Sequence, residues 1–423
     1  MQHLSYFSLG LLALLGLAPI LASAQAPAGT DRNAAGQSAT GPAMSAPGRA
    51  GSAGETEINI LSSYYSQDGN HGAVEGGIGT QQLTDFTPTI ILNVPLDSAT
   101  RVTANLGMDY YASASTDRID QVLSSPSSHD TRYHVDLGLT RQLTDHRTIV
   151  GLGGGFSTEY DYSSVNVSSS WAQASRDGNR ELSVAAQAYF DRATLIRPAE
   201  LRPNGQREEG HDTRQSYNLN LVYSQVLSQR LQLAVSTELV AQRGLLSTPF
   251  HRVYFRETGA GLGSARTEVL PRQRYKYPLG LRLTYYATDL VQLRGFYRFY
   301  QDNFGITAHT VELEAPVKVT PFFVLYPFYR YHTQTAATYF APYLEHSIAE
   351  EFFTSDYDLA AFTAHKFGLG LRYSPVYGIS RFKLPFGRGA GKFKALDLRY
   401  AYYRQSTGLT ANIFSADLSF TAP

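Results

Sequence analysis

The chain has no cysteine, one tryptophan and three methionines in 423 residues. Without cysteine there is no disulfide scaffold, no thiolate zinc or iron–sulfur site, and no lipid-anchored N-terminal Cys. Charge is scarce as well. Asp, Glu, Lys and Arg together make up 17% of the chain, against about a quarter in soluble domains. The two signs cancel, 36 against 36, so the basic excess that a nucleic-acid partner demands is absent. From Glu55 onward no apolar run reaches the ~18 residues of a membrane-spanning helix. What abounds is tyrosine, phenylalanine and glycine, at 29, 22 and 36 residues. With a mean hydropathy of −0.23, the chain is too polar for a helical membrane protein and too aromatic for a disordered one.

Residues Leu9 to Leu21, LGLLALLGLAPIL, are uncharged but too short to span a bilayer. The small-residue site Ala22-Ser23-Ala24 follows, which predicts a signal peptide over 1–24 cleaved before Gln25. Its first residues carry no Lys or Arg, a departure from the usual signal. In the next stretch, Gln25 to Gly54, 21 of 30 residues are Ala, Gly, Ser or Pro. So little apolar surface cannot offset the entropy of ordering, which predicts a disordered periplasmic tether over 25–54.

Over 55–423 the hydrophobic period is two. Leu231, Leu233, Val235, Thr237, Leu239 and Ala241 fall on one side, with Gln232, Ser236, Glu238 and Gln242 on the other and Val240 the exception. Leu279, Leu281, Leu283 and Tyr285 alternate with Gly280, Arg282 and Thr284. Leu396, Leu398, Tyr400 and Tyr402 face away from Asp397, Arg399 and Tyr403. Strand side chains point alternately to two faces, so each segment has one apolar and one polar face. A soluble sandwich turns the apolar face inward, and a membrane barrel turns it out to lipid.

Strand length and loop length choose the barrel. The segments run about 12 residues, near the ~9–11 of a tilted membrane crossing. Short connections at 96–100, 144–147, 176–179, 228–229, 288–289 and 319–321 alternate with long ones at 67–83, 112–128, 194–211, 244–273 and 334–359. Outer-membrane barrels join strands by short periplasmic turns and long external loops. External connections near Tyr162, Asn303 and Thr407 are short exceptions, and the internal turn 374–392 is long. The count is about 16 strands, an even number with both termini periplasmic. Aromatics at Tyr64-Tyr65, Tyr110-Tyr111, Tyr160, Tyr189-Phe190 and Tyr400 to Tyr403 all fall at the external strand ends, as an interfacial girdle would.

Several stretches carry a resemblance: Ser62-Ser63-Tyr64-Tyr65 through His71 and Gly76 to Thr80; Asp109-Tyr110-Tyr111 with the serines to Asp120; Leu246 to Tyr254; and Leu270 to Tyr275. Together they resemble a bacterial outer-membrane β-barrel family catalogued as a domain of unknown function (number thirty-five seventy). The resemblance implies an outer-membrane barrel with no established activity. It also implies a redox-linked periplasmic neighbourhood of flavin-transfer and thioredoxin-like proteins.

Reading the polar face strand by strand places Asp109, Asp136, Asp191 and Glu238 in the lumen of the first half. Arg282, Arg294, Arg298, Lys366, Arg372 and Arg399 line the second half, with Glu312, Glu314 and Asp397 among them. An acidic wall would then oppose a largely basic one, unless the enclosed charges pair off. Three functions are open: a channel for small polar solutes, a closed platform or export partner of a periplasmic redox-linked protein, and a barrel hydrolase. The hydrolase would use the rim pairs His129-Asp130 and His211-Asp212 as a general base. His309 falls on the lipid face with no serine partner for a phospholipase. Asp117 and Asp120 make a weak oxygen-rich calcium motif without EF-hand spacing, and Gly151 to Gly155 lie in a strand, where they form no phosphate cradle. No cofactor is expected; the expected partners are outer-membrane lipid, the barrel-insertion machinery and, on the platform reading, a periplasmic protein.

Overall fold

The structure is a computed structural model that describes residues 54–113, 129–202, 210–256, 265–383 and 390–423. The segments expected to be a signal peptide and a tether, up to Ala53, and Asp117 and Asp120 lie outside the described residues.

Sixteen antiparallel wall strands close into a barrel. In order they are β1 (Thr56–Asp68), β2 (Leu83–Pro95), β3 (Thr100–Ser113), β4 (His129–Gln142), β5 (Thr148–Thr158), β6 (Tyr162–Ala174), β7 (Arg180–Thr194), β8 (His211–Ser228) and β9 (Leu231–Gly244). β10 runs Gln273–Lys276 and, after a break, Leu279–Tyr286. β11 is Gln292–Gln301, and β12 runs Thr307–Glu314 and Val317–Lys318. The last four are β13 (Phe323–Gln334), β14 (Phe362–Tyr373), β15 (Ala390–Gln405) and β16 (Thr410–Ala422). β16 pairs with β1 from Thr56↔Ala422 to Asp68↔Thr410, which removes the sheet edges. Closure matters because lipid offers no hydrogen bonds to an open edge. Among the described residues no helix is long and apolar enough to cross a membrane.

Prolines mark the gaps in this ladder, since a proline has no N–H to give. Pairing of β2 with β3 skips the rows around Pro88. The breaks in β10 and β12 fall at Tyr277-Pro278 and Ala315-Pro316. The long internal turn 374–392 holds a further short strand, Ser380–Lys383. It pairs with Ala390 to Phe393, so this hairpin projects past the other periplasmic turns. The terminal strand runs past Phe420 through Thr421 and Ala422.

Exposure decides which face meets lipid. Leu137, Leu139, Leu152, Val165, Leu281, Leu313, Leu369 and Leu398 are all exposed, while the alternate Asp136, Thr284, Glu312, Glu314 and Asp397 are buried. A sandwich would have reversed this. The apolar surface therefore faces outward around the whole ring, as an outer-membrane barrel requires. The paired aromatics split between faces. Tyr64, Tyr110, Phe190 and Tyr400 project outward as a girdle, whereas Tyr65, Tyr111 and Tyr189 are buried inward.

Candidate functional site

The lumen face follows from the cross-strand register, because directly paired residues share a face. Around the ring, Asp109 pairs with Arg132, Asn105 with Asp136 and Asp191 with Arg214. Ala234 pairs with Arg282, Thr284 with Arg294 and Gly280 with Arg298. Glu312 pairs with Arg330, which pairs with Lys366; Arg372 pairs with Asp397 and Gly370 with Arg399. Glu238 sits opposite Asn220 on the same face. The register thus brings all thirteen sequence-predicted charged residues to the inner surface.

The acidic side is partly neutralised from within. Arg214 Nε donates to Asp191 at 2.8 Å, and its Nη2 reaches the Tyr162 hydroxyl at 3.0 Å. Arg132 stands 4.0 Å from Asp109. Asp136 accepts instead from the Asn166 amide at 2.9 Å. It lies across the Gly155 position, where a Cβ would collide with its carboxylate. Of the two alternatives left open by the sequence, Asp109 and Asp191 follow the paired one, through Arg132 and Arg214, which the reading of the polar face had not included.

The basic side keeps a surplus. Arg294 donates to Glu314 at 2.7 Å, and Arg399 reaches the same carboxylate at 3.3 Å. Asp397 accepts from the Tyr326 hydroxyl. The rings of Tyr326 and Phe328 lie flat over Gly370 and Gly368, where any Cβ would overlap them. This leaves a low aromatic floor on which Arg399 stacks, 3.9 Å from the Phe328 centroid. Arg282 stands 5.5 Å over Phe296 in the same manner. Arg330 also belongs to this wall, though its place between Tyr329 and Tyr331 hid it in the sequence.

The external mouth carries structure that alternation could not foretell. Arg252, only 1% exposed, donates to Glu200 at 2.6 and 3.2 Å and to the Val74 carbonyl at 3.0 Å; Glu75 lies 3.8 Å away. Val74 and Glu75 belong to the β1–β2 connection, Glu200 to β7–β8 and Arg252 to β9–β10. The first and last of these stand half a turn apart in the ring, so one guanidinium ties together loops from opposite rims. His71 stacks on Tyr357 of the β13–β14 connection, with centroids 3.8 Å apart. Gly76 and Gly77 have φ of 77° and 90°, and they lie against Tyr254 and Ser355 where a side chain would clash. Four connections thereby pack into a cap across the mouth.

A polar core holds the cap from inside. Buried Glu268 accepts from the Thr248 backbone N–H at 2.7 Å and from the Thr354 hydroxyl at 2.5 Å. His251 Nδ1 lies 3.9 Å from Glu268. His346, fully buried, binds Glu350 through Nδ1 at 2.6 Å and the Thr354 carbonyl through Nε2 at 2.9 Å. Burial would raise the Glu350 carboxyl, but bonds from the Ser347 N–H and His346 outweigh it and hold the group below its ordinary range. Phe255 and Phe353 pack edge to face beside this cluster.

Of the two rim pairs, His211-Asp212 forms no dyad. The Asp212 carboxylate is held by both terminal nitrogens of Arg272, at 2.7 and 2.9 Å, while His211 meets the Thr194 hydroxyl at 3.2 Å. Asp130 accepts from the Thr131 N–H and from the Tyr111 hydroxyl. Outward-facing His309 meets the Tyr297 hydroxyl at 2.8 Å. Among the described residues no cluster of His, Asp and Glu has the makings of a metal site.

No curated protein matches the chain. Similar solved structures are outer-membrane proteins. A G324V mutant of the ferric enterobactin receptor PfeA from Pseudomonas aeruginosa is 13% identical, with a TM-score of 0.44, over 86% of this chain and 56% of the receptor. The chain thus spans just over half the length of the receptor structures it resembles. OccK1 (OpdK) from Pseudomonas aeruginosa is 9% identical, TM-score 0.38, over 87% of this chain and 98% of that one. A deletion mutant of the monoaromatic hydrocarbon channel TodX is 10% identical, TM-score 0.40, over 88% and 91%. In sequence, a single family matches residues 65–414, most of the barrel from the first tyrosine pair to the last strand. This outer-membrane barrel accordingly belongs to DUF3570, a family described as a protein of unknown function.

Proposed function

We propose that the barrel is a channel for small polar solutes whose external mouth is closed at rest by the loop cap. The observation that carries this reading is the inner face itself. It is polar and charged from the periplasmic end up to the cap, in a barrel of the size that leaves an aqueous lumen. A chain that needed only to stand in the membrane would gain by filling that space with apolar side chains. Refolded protein in planar bilayers should give discrete conductance steps, more often open once the cap is loosened. Electrical silence from a folded barrel, with the cap intact and with it loosened, overturns the channel.

The cap favours a second reading, a closed platform or export partner for a periplasmic protein. A mouth tied shut through Arg252 suits a barrel that presents its periplasmic end, where the Ser380–Lys383 hairpin projects. Capture of a periplasmic protein by wild-type barrel, lost when that hairpin is shortened, supports the platform. Insertion would begin from β16, whose alternating residues end in Phe420 and Thr421-Ala422-Pro423.

A further inference from the structure

We propose that the lumen holds a binding site for multivalent oxyanions, built by Arg298, Arg330, Lys366 and Arg399 around Glu312. The inference deepens the channel reading by naming its solute class, and it rests on that reading for its route.

The four cations come from four strands, β11, β13, β14 and β15, on one patch of inner wall. Arg330 and Lys366 are direct cross-strand partners, and Arg330 pairs with Glu312 on its other side. Arg298 interacts electrostatically with Arg330, and Lys366 with both Arg330 and Arg399. Glu312 is the carboxylate at their centre, within electrostatic reach of Arg330, Arg399 and Lys366. Among the described residues no carboxylate comes within ion-pairing distance of Arg298, Arg330 or Lys366. Arg399 shares Glu314 with Arg294, which stands closer. Other acids reach the edges of the patch, Glu238 near Arg298 and Glu314 and Asp397 near Arg399, but Arg330 and Lys366 face Glu312 alone, so the cations repel each other on a wall that holds them in place.

An anion entering this patch meets donors already in place. Arg399 is fixed by stacking on Phe328, and the Lys366 ammonium lies 5.8 Å from the same ring. Guanidinium groups offer paired N–H donors that match carboxylate and phosphate oxygens. Glu312 repels a lone monovalent ion and selects for solutes with two or more anionic groups, which can span several cations at once. The patch also lies just beneath the cap. Gln334, four residues above Arg330 and about 13 Å along the strand, donates to the carbonyls of Asp358 and Ala360 in the β13–β14 connection. A closed cap would therefore hold a bound anion away from external water, where the field of the cations is least screened.

The test uses the full chain refolded in detergent, with citrate as probe and inorganic phosphate in a parallel titration to separate carboxylate from phosphate preference. Calorimetry should show saturable citrate binding, weakened about tenfold or more by Arg330→Gln with Lys366→Met. Arg180→Gln, a single charge removed at an exposed periplasmic turn as Arg298→Gln removes one in the lumen, should leave it unchanged. Folding is checked by heat-modifiable gel mobility, and Arg298→Gln alone serves if the double variant fails to fold. Citrate should also interrupt single-channel current. Binding without current keeps the site and overturns the channel. Current with no citrate binding, or citrate binding that Arg180→Gln weakens as much as the lumen variants do, overturns the site.

Discussion

The wall and the cap are held by different physics. In the wall the crossing backbone is paired by neighbouring strands except at the proline gaps, and elsewhere the ladder repeats with little regard to which side chain it carries. In the cap the connections have almost no ladder. Apart from isolated bridges, the strand pairing among the described residues there is a hairpin of three residues a side, Arg252–Tyr254 with Ala265–Thr267, beside single 3-10 turns at Ala73–Glu75, Ala199–Leu201 and Tyr357–Leu359. Order in the cap comes instead from buried polar groups that reach from loop to loop and from small apolar clusters such as Leu270, Phe304, Ala337 and Leu359. A repeated structure spreads its stability over many similar bonds, so losing one changes little. A structure tied by Arg252, Glu268 and His346 concentrates it, which suits the opening that the proposed channel requires.

The largest effect expected from one substitution is therefore in the cap. Arg252→Ala removes a buried guanidinium from two carboxylates and a carbonyl across the mouth, at a cost of about 3–5 kcal/mol when a buried pair loses one partner. Glu200 is partly exposed, which puts the cost at the lower end. Limited proteolysis should cut the 245–272 connection in the variant and spare it in the wild type, with gel mobility of the barrel unchanged. Equal resistance in both would mean that the cap does not depend on this tie.

The wall has a matching test on its lipid face. Leu369 lies between Gly368 and Gly370 near the middle of β14 and projects outward. Arginine there should cost about 2–4 kcal/mol of barrel stability in urea unfolding from lipid vesicles. Arginine at Ser168, whose register partner Gly153 leaves room on the inner face, should cost far less. If the two variants were equally stable, the assignment of faces would be wrong.

That assignment was the most legible property of the sequence, and the cap the least. Alternation along β9, β10 and β15 reveals which side chains share a face, and closure forces the polar face inward on all sixteen strands at once. Even the exception Val240 was visible. Partners were not, since a strand's own sequence says nothing of which residue its neighbour brings opposite. Arg214 beside Asp191 and Arg330 beside Glu312 emerge only from register. The cap was hidden for a stronger reason. Its contacts join residues such as Val74 and Arg252 that are far apart in sequence, with no periodicity to link them. The one local hint was the pair Gly76-Gly77, where the backbone takes left-handed angles against another loop.

A smaller effect separates tight from open stretches of the wall. A methyl at Gly370 would overlap the Tyr326 ring, whose hydroxyl is engaged by Asp397. Gly370→Ala should cost about 1–3 kcal/mol by overpacking, and Tyr326→Ser in the same chain should recover most of it. Failure of the second substitution to recover stability would place the clash elsewhere, against the strand backbone.

The smallest effect lies at the periplasmic turns, where the wall uses side-chain ties of its own. Asp97, Asp145 and Asp177 each sit in a short turn and accept hydrogen bonds from the residues that follow. Asp145 takes the Thr148 hydroxyl at 2.6 Å, the Thr148 N–H at 2.9 Å and the Arg147 N–H at 3.0 Å. These bonds, the Thr148 hydroxyl foremost, hold its carboxyl down at about 2 against an ordinary 3.8. A depressed carboxyl pKa stabilises the turn fully above the ordinary value, and the contribution is lost as pH falls through the folded one. The window is therefore between about pH 4 and pH 2. The side chain is fully exposed, so solvent screens the effect and the barrel itself should stay folded throughout. Carbon-13 titration of the Asp145 carboxyl in micelles should give a midpoint near 2, and Thr148→Val should move it upward. A wild-type midpoint at the ordinary 3.8 would show that the turn does not hold these bonds in solution, and that the wall, unlike the cap, relies on its ladder alone.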